Sequence, residues 1–111
     1  MDFSLIMDLP IVYHPDYVAP LPAGHRFPMS KFRLLYERLL ADGVATHSQF
    51  HLPERSPQVW IEQVHTPDYV QAYCDGSLDV KAQRRIGLPW SDALVNRTCV
   101  AVGGTVLTAK L

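Results

Sequence analysis

Apolar residues in this chain fall into two spacings, short runs and helical repeats, and these predict most of the elements. Residues 9–14, LPIVYH, form a β-branched and aromatic run after Asp8 that reads as a buried strand. Phe32, Leu35, Tyr36, Leu39 and Leu40 then recur on one helical face, with Lys31, Arg33, Glu37 and Arg38 mostly on the other, which predicts a helix over 29–42. Pro28 stands at its entrance and Gly43 just past its end, where each residue type is favoured. Residues 48–54, SQFHLPE, are a weaker strand candidate. Ser56-Pro57 predicts a helix start, with Val59, Trp60 and Val64 as the apolar edge. Thr66-Pro67-Asp68 repeats the device, with Tyr69, Val70, Tyr73 and Cys74 facing inward and Gly76 ending the helix. Residues 79–87 predict one or two helical turns, and LPWSD a turn in which Ser91 caps the next helix.

That last helix carries Val95, Cys99, Val102, Val106 and Ala109 on one face and meets no stop signal before Leu111. Gly103 and Gly104 sit in its middle, where each costs about 1 kcal/mol relative to alanine. Such a pair predicts a close backbone approach. Strand, helix, strand and further helices predict a βαβ unit of a parallel α/β sheet. Two strands do not make a stable parallel sheet, and parallel sheets need both faces covered. The open-ended helix and the short sheet together predict an incomplete domain.

The loop 15–28 leaves the C-terminal end of the first predicted strand, the end at which open α/β sheets bind ligands. Prolines 15, 20, 22 and 28 stiffen it, so it is suited to be a wall or rim. His14, His25 and Arg26 are the polar candidates on and beside it, with Phe27 and Met29 as apolar neighbours.

Composition narrows the function classes. The chain has 111 residues, 48% hydrophobic and 19% charged, enough for one small domain. A net charge of −1 gives no general footprint for nucleic acid or for an anionic membrane surface. The first fifteen residues hold Asp2, Asp8 and Pro10 and no basic leader segment, and no apolar run reaches the length of a membrane span. Cys74 and Cys99 read as free thiols, so the expected location is cytoplasmic. The serines lack a nucleophile-elbow context, and no phosphate loop or dinucleotide fingerprint is present. His47 and His51 are spaced as two ligands on a helix would be, but Phe50, Leu52 and Pro53 favour strand or loop there. His65, just before Thr66, reads as a helix-start residue.

Read in order, the segments LPIVYHPDYVAPLPAGHRFPMSKFRLLYERLLADG, VHTPDYVQAY, IGLPW and AVGGTVLTAKL resemble the N-terminal part of histone deacetylase superfamily proteins, bacterial and class IV-like. The resemblance covers residues 9–111. It implies an α/β fold class: the N-terminal part of a parallel-sheet arginase/deacetylase fold, three-layer α/β/α and incomplete in this chain. Residues 1–111 would be a single partial domain, the N-terminal third of a deacetylase-like catalytic domain. The implied activity is zinc-dependent removal of acyl groups from an acetylated lysine or polyamine substrate. The family's histidine pair, zinc ligands and transition-state tyrosine fall after the matched region, so no catalytic residue and no metal ligand is carried onto this chain, and the fragment alone is expected to be inactive. Zn2+ would be held by the remainder of the catalytic domain, the implied protein partner. What carries over is the first loop, with His25, Arg26, Phe27, Met29 and His14 expected to line the cavity and Arg26 expected to point inward in the complete protein. The alternative is a non-catalytic α/β interaction module docking a partner through its exposed sheet edge and C-terminal helix. Neither reading involves nucleic acid or a membrane.

Overall fold

The computed structural model describes residues 9–111; residues 1–8, with Asp2 and Asp8, lie outside the described residues. Among the described residues helix dominates, at 54%, and sheet is confined to two short strands. Strand β1 is Ile11–Val12 and strand β2 is Phe50–His51. They pair in parallel, Ile11 opposite Phe50 and Val12 opposite His51. A 3-10 turn at Pro15–Tyr17 follows β1, and another at His47–Gln49 precedes β2. The helices are α1 (Lys31–Ala41), α2 (Gln58–Ile61), α3 (Pro67–Asp75), α4 (Val80–Ile86) and α5 (Asp92–Lys110).

This corrects the expected fold class. The chain is not a three-layer α/β/α parallel sheet of the arginase/deacetylase kind; it is a helical assembly carrying one two-stranded parallel ladder. The strand expected over 9–14 narrows to two residues, because Pro10 and Pro15 bracket it and proline donates nothing to a ladder. The strand expected over 48–54 narrows likewise: a Thr46–Gln49 capping box winds its start into a 3-10 turn, and Pro53 closes its end. With two residues a side, the ladder pairs few backbone groups, and the others find partners in helices, turns and loops.

Helix boundaries follow the local signals more closely. Thr66 caps α3 by accepting from the Tyr69 N–H, with Pro67 in the first turn and Gly76 left-handed at φ 79° past the end. Ser91 caps α5 by accepting from the Leu94 N–H, and Asp79 caps α4 from Ala82. At α2 the expectation fails. Pro57 holds the cap position, and the buried Ser56 Oγ has no hydrogen-bond partner among the described residues. The Ser56 backbone instead donates to the Cys99 carbonyl of α5 at 3.0 Å.

Helix α5 is the centre of the packing. Leu94, Val95, Cys99, Val100, Gly103 and Gly104 are buried on it. The glycine pair does what its cost predicts. A side chain at position 103 would strike the Glu54 carbonyl oxygen, and one at 104 the Tyr17 hydroxyl. The rest of the core is thin. The Cα radius of gyration is 16.3 Å, against about 13 Å for a compact domain of this size. Leu35, placed inward by its spacing, is 62% exposed, and Val64 is 78% exposed. Leu34, Leu52, Val59 and Trp60 are exposed as well.

Candidate functional site

The segment from His14 to Met29 leaves the C-terminal end of β1 and is fixed at both ends. His14 starts the 3-10 turn: its Nδ1 accepts the Asp16 N–H at 2.9 Å. Asp16 takes a hydrogen bond from the Asn96 side-chain amide at 2.8 Å, and Arg55 donates to the Asn96 oxygen at 2.6 Å. Arg97 Nε donates to the Tyr17 carbonyl at 2.7 Å while its guanidinium lies 4.9 Å from the Phe32 ring centre. Two consecutive residues of α5 thus hold the Asp16–Tyr17 turn. At the far end Met29 is 5% exposed and anchors the entry to α1.

Between these anchors the chain turns at Gly24, whose φ of 78° is left-handed. His25 N–H donates to the Pro22 carbonyl at 3.1 Å, and its Nδ1 accepts the Phe27 N–H at 3.1 Å. With Nδ1 so used, the Nε2 side of the ring remains for contact with a ligand. Arg26 is exposed, with no ion pair among the described residues. Phe27 is half-buried, with the Lys31 ammonium 5.3 Å from its ring centre.

Across from His25 lies the end of α4. A groove of about 330 Å³ is lined by His25, Gln83, Arg84, Gly87, Leu88 and Pro89. Gly87 closes α4 at φ 77°, and Gln83 Nε2 donates to the Leu88 carbonyl at 2.8 Å, which shapes the turn. The sequence reading reached His25 but missed Gln83, Arg84 and Gly87. They fall in residues 79–87, read there only as one or two helical turns.

The other histidines take structural places. His14 serves as a cap, His47 opens a 3-10 turn, and His51 is in β2, so the last two share no helix face. His65 stacks on Tyr69 with ring centres 5.6 Å apart. Among the described residues, no three His, Cys, Asp or Glu side chains gather to hold a metal ion. The described residues therefore do not fit a zinc site.

A second cavity, about 210 Å³ and largely apolar, lies between α3 and α5 and is lined by Tyr73, Cys74, Thr98 and Cys99 among others. Both cysteines are free. Burial, and to a lesser degree the neighbouring Cys99, pushes the Cys74 thiol up, so it is a poor nucleophile.

No protein-family model matches the chain. It is similar to an uncharacterized protein of Picosynechococcus sp., 61% identical over 105 residues, which make up 95% of this chain and 35% of that protein. The chain therefore spans about a third of the length of the curated relative it matches. Among the described residues no helix is long and apolar enough to cross a membrane.

Proposed function

We propose that this chain is the N-terminal part of a zinc-dependent deacetylase-like amidohydrolase acting on acyl-lysine or acylpolyamine amides. The observation that carries the reading is the interdependence of the segments of the resemblance. The HPDY turn of the first segment packs against the second glycine of GGT in the last, through Tyr17 and Gly104. A 61% identical relative about three times as long leaves ample chain for the residues that the reading requires elsewhere. Zinc, held by residues elsewhere in the full-length protein, would supply Lewis-acid chemistry to such an enzyme. This chain's part is the wall: a stiff loop pinned by α5 that presents His25 and Arg26 beside α4. The proposed location is cytoplasmic, a reducing compartment in which Cys74 and Cys99 stay as thiols.

Metal content and acetyl-lysine turnover of the full-length protein test this. One zinc per chain, with turnover lost on chelation and restored by zinc, is the expected result. A full-length protein that binds no zinc and cleaves no acyl-lysine or acylpolyamine amide would end the reading.

The exposed Leu34, Leu35, Leu52, Val59 and Trp60 favour a second reading, a non-catalytic interaction module that docks a partner on its apolar surface. That reading requires a full-length protein free of amidohydrolase activity.

A further inference from the structure

The apolar cavity of about 210 Å³ is walled by four helices. Ile61 ends α2, Tyr73 and Cys74 come from α3, Ile86 ends α4, and Thr98 and Cys99 come from α5. The wall changes with depth. Val70 is 2% exposed and Cys99 5%, so these two form the floor. Tyr69 and His65 are exposed, and their stacked rings form the rim.

The lining contains no Asp, Glu, Lys or Arg. Burial raises the Tyr73 phenol and the Cys74 thiol, so both stay protonated and uncharged. An ionic group carried to the floor would lose its water and find no partner there. One polar atom of the wall keeps capacity to spare. Thr98 Oγ1 donates to the Leu94 carbonyl at 3.0 Å, which uses its single hydrogen. The 2.8 Å bond between the Tyr73 and Thr98 hydroxyls is therefore donated by Tyr73. With its proton so placed, the Tyr73 oxygen can still accept but can no longer donate. The residue is also held from its backbone side, where Trp90 Nε1 donates to the Tyr73 carbonyl at 2.6 Å. One strong acceptor is too few to hold an ordered water, which takes about two to four partners.

We infer that this cavity binds a small neutral aromatic molecule carrying one N–H or O–H donor, its ring against the apolar wall and its donor on the Tyr73 oxygen. The size agrees. An apolar cavity of about 150 Å³ holds benzene, so 210 Å³ admits one ring with a short substituent or a fused pair of rings. The chemistry agrees as well. Tyr69 and Tyr73 offer ring faces and edges for offset or edge-on contact, and the two thiols behave as small, soft hydrophobes. The inference uses no residue of the first loop and needs no zinc, so it stands independently of the amidohydrolase reading.

The test is calorimetric titration of the full-length protein with three probes: indole, indene, which has the same shape without the N–H, and benzoate. Indole is expected to bind about fivefold more tightly than indene, the worth of one neutral hydrogen bond. Benzoate should bind more weakly than either. Tyr73→Phe removes the acceptor and leaves Thr98 its bond to Leu94, so it should bring indole down to the level of indene and leave indene unchanged. Ile86→Trp, which fills the cavity from α4, should abolish binding of both. If thermal melts show that Ile86→Trp does not fold, Tyr73→Phe alone decides. Absence of indole and indene binding would overturn the inference and mean that the protein's own chain fills the cavity. Benzoate binding as tight as that of indole would overturn it too. So would an indole preference that is missing in the wild type or survives in Tyr73→Phe.

Discussion

The Tyr17 hydroxyl occupies the space that a side chain at Gly104 would need, and the Glu54 carbonyl does the same at Gly103. One helical turn of α5 is therefore met by two segments distant in sequence. The obstacles differ in kind. One is the far end of a side chain, and the other is backbone.

That difference sets the first prediction. Alanine gains about 1 kcal/mol of helix propensity over glycine, and overpacking costs typically about 1–3 kcal/mol. At Gly103 the carbonyl cannot step aside, so Gly103→Ala is expected to be the more destabilising. Gly104→Ala should be milder, and Tyr17→Phe should rescue much of its loss while leaving Gly103→Ala unrescued. Urea denaturation of the three single variants and of each alanine combined with Tyr17→Phe gives the comparison, and equal rescue of both alanines would refute the stated contacts.

Helix caps give a second, contrasting pair. Ser91→Ala removes the acceptor for the Leu94 N–H and should cost about 1 kcal/mol. Ser56→Ala removes a buried hydroxyl that has no partner among the described residues, and should be neutral or stabilising. Thermal melts report both shifts. A Ser56→Ala loss as large as that of Ser91→Ala would mean that the hydroxyl is satisfied in solution.

Alkaline pH should weaken the fold. Burial raises the pKa of Tyr17 and Tyr73, the latter despite its opposing hydrogen bond to Thr98, and burial raises Cys74 too. Each group holds its proton more tightly folded than unfolded. The associated stability is fully present below the unfolded-state pKa values and is lost as pH rises through the folded ones. Stability should therefore hold level through neutral pH with respect to these groups and fall above about pH 9. Denaturation midpoints across that range check it. A rise in stability above pH 9 would give the opposite sign.

Residues 1–111 in isolation are expected to retain no stoichiometric zinc and to show no amidohydrolase turnover. The reason is the lack of a three-ligand cluster among the described residues. Metal analysis after gel filtration is the measurement, and one tightly held zinc with turnover would contradict it.

What the sequence revealed divides along a physical line. Helix ends were readable because capping is short-range chemistry: Thr66 reaches Tyr69 and Ser91 reaches Leu94, each three residues on. The close approach at Gly103 and Gly104 was readable because glycine inside a helix is costly enough to need a reason. The strands were overextended because their apolar runs were weighed above the local stops, Pro10 and Pro15 around Ile11 and the Thr46–Gln49 capping box and Pro53 around Phe50, while the pairing itself is non-local. Ser56 misled because a serine before a proline looks like a cap whether or not its hydroxyl reaches a donor. The groove was half-visible. His25 stood out in its proline-bracketed loop, whereas Gln83 and Arg84 gain meaning only from being folded against it.

The clamp on the first loop also has a consequence for chain growth. Asn96 with Asp16, and Arg97 with Tyr17, each join residues 80 positions apart. On the ribosome, β1 and its exit turn are made early, yet their anchors arrive only when α5 emerges. Contacts of such separation close late and slow folding. Until then the nascent N-terminal segment has nothing to hold Asp16 and Tyr17 in place, and it stays available to chaperones and proteases. Synthesis order thus makes α5 the element that commits everything before it.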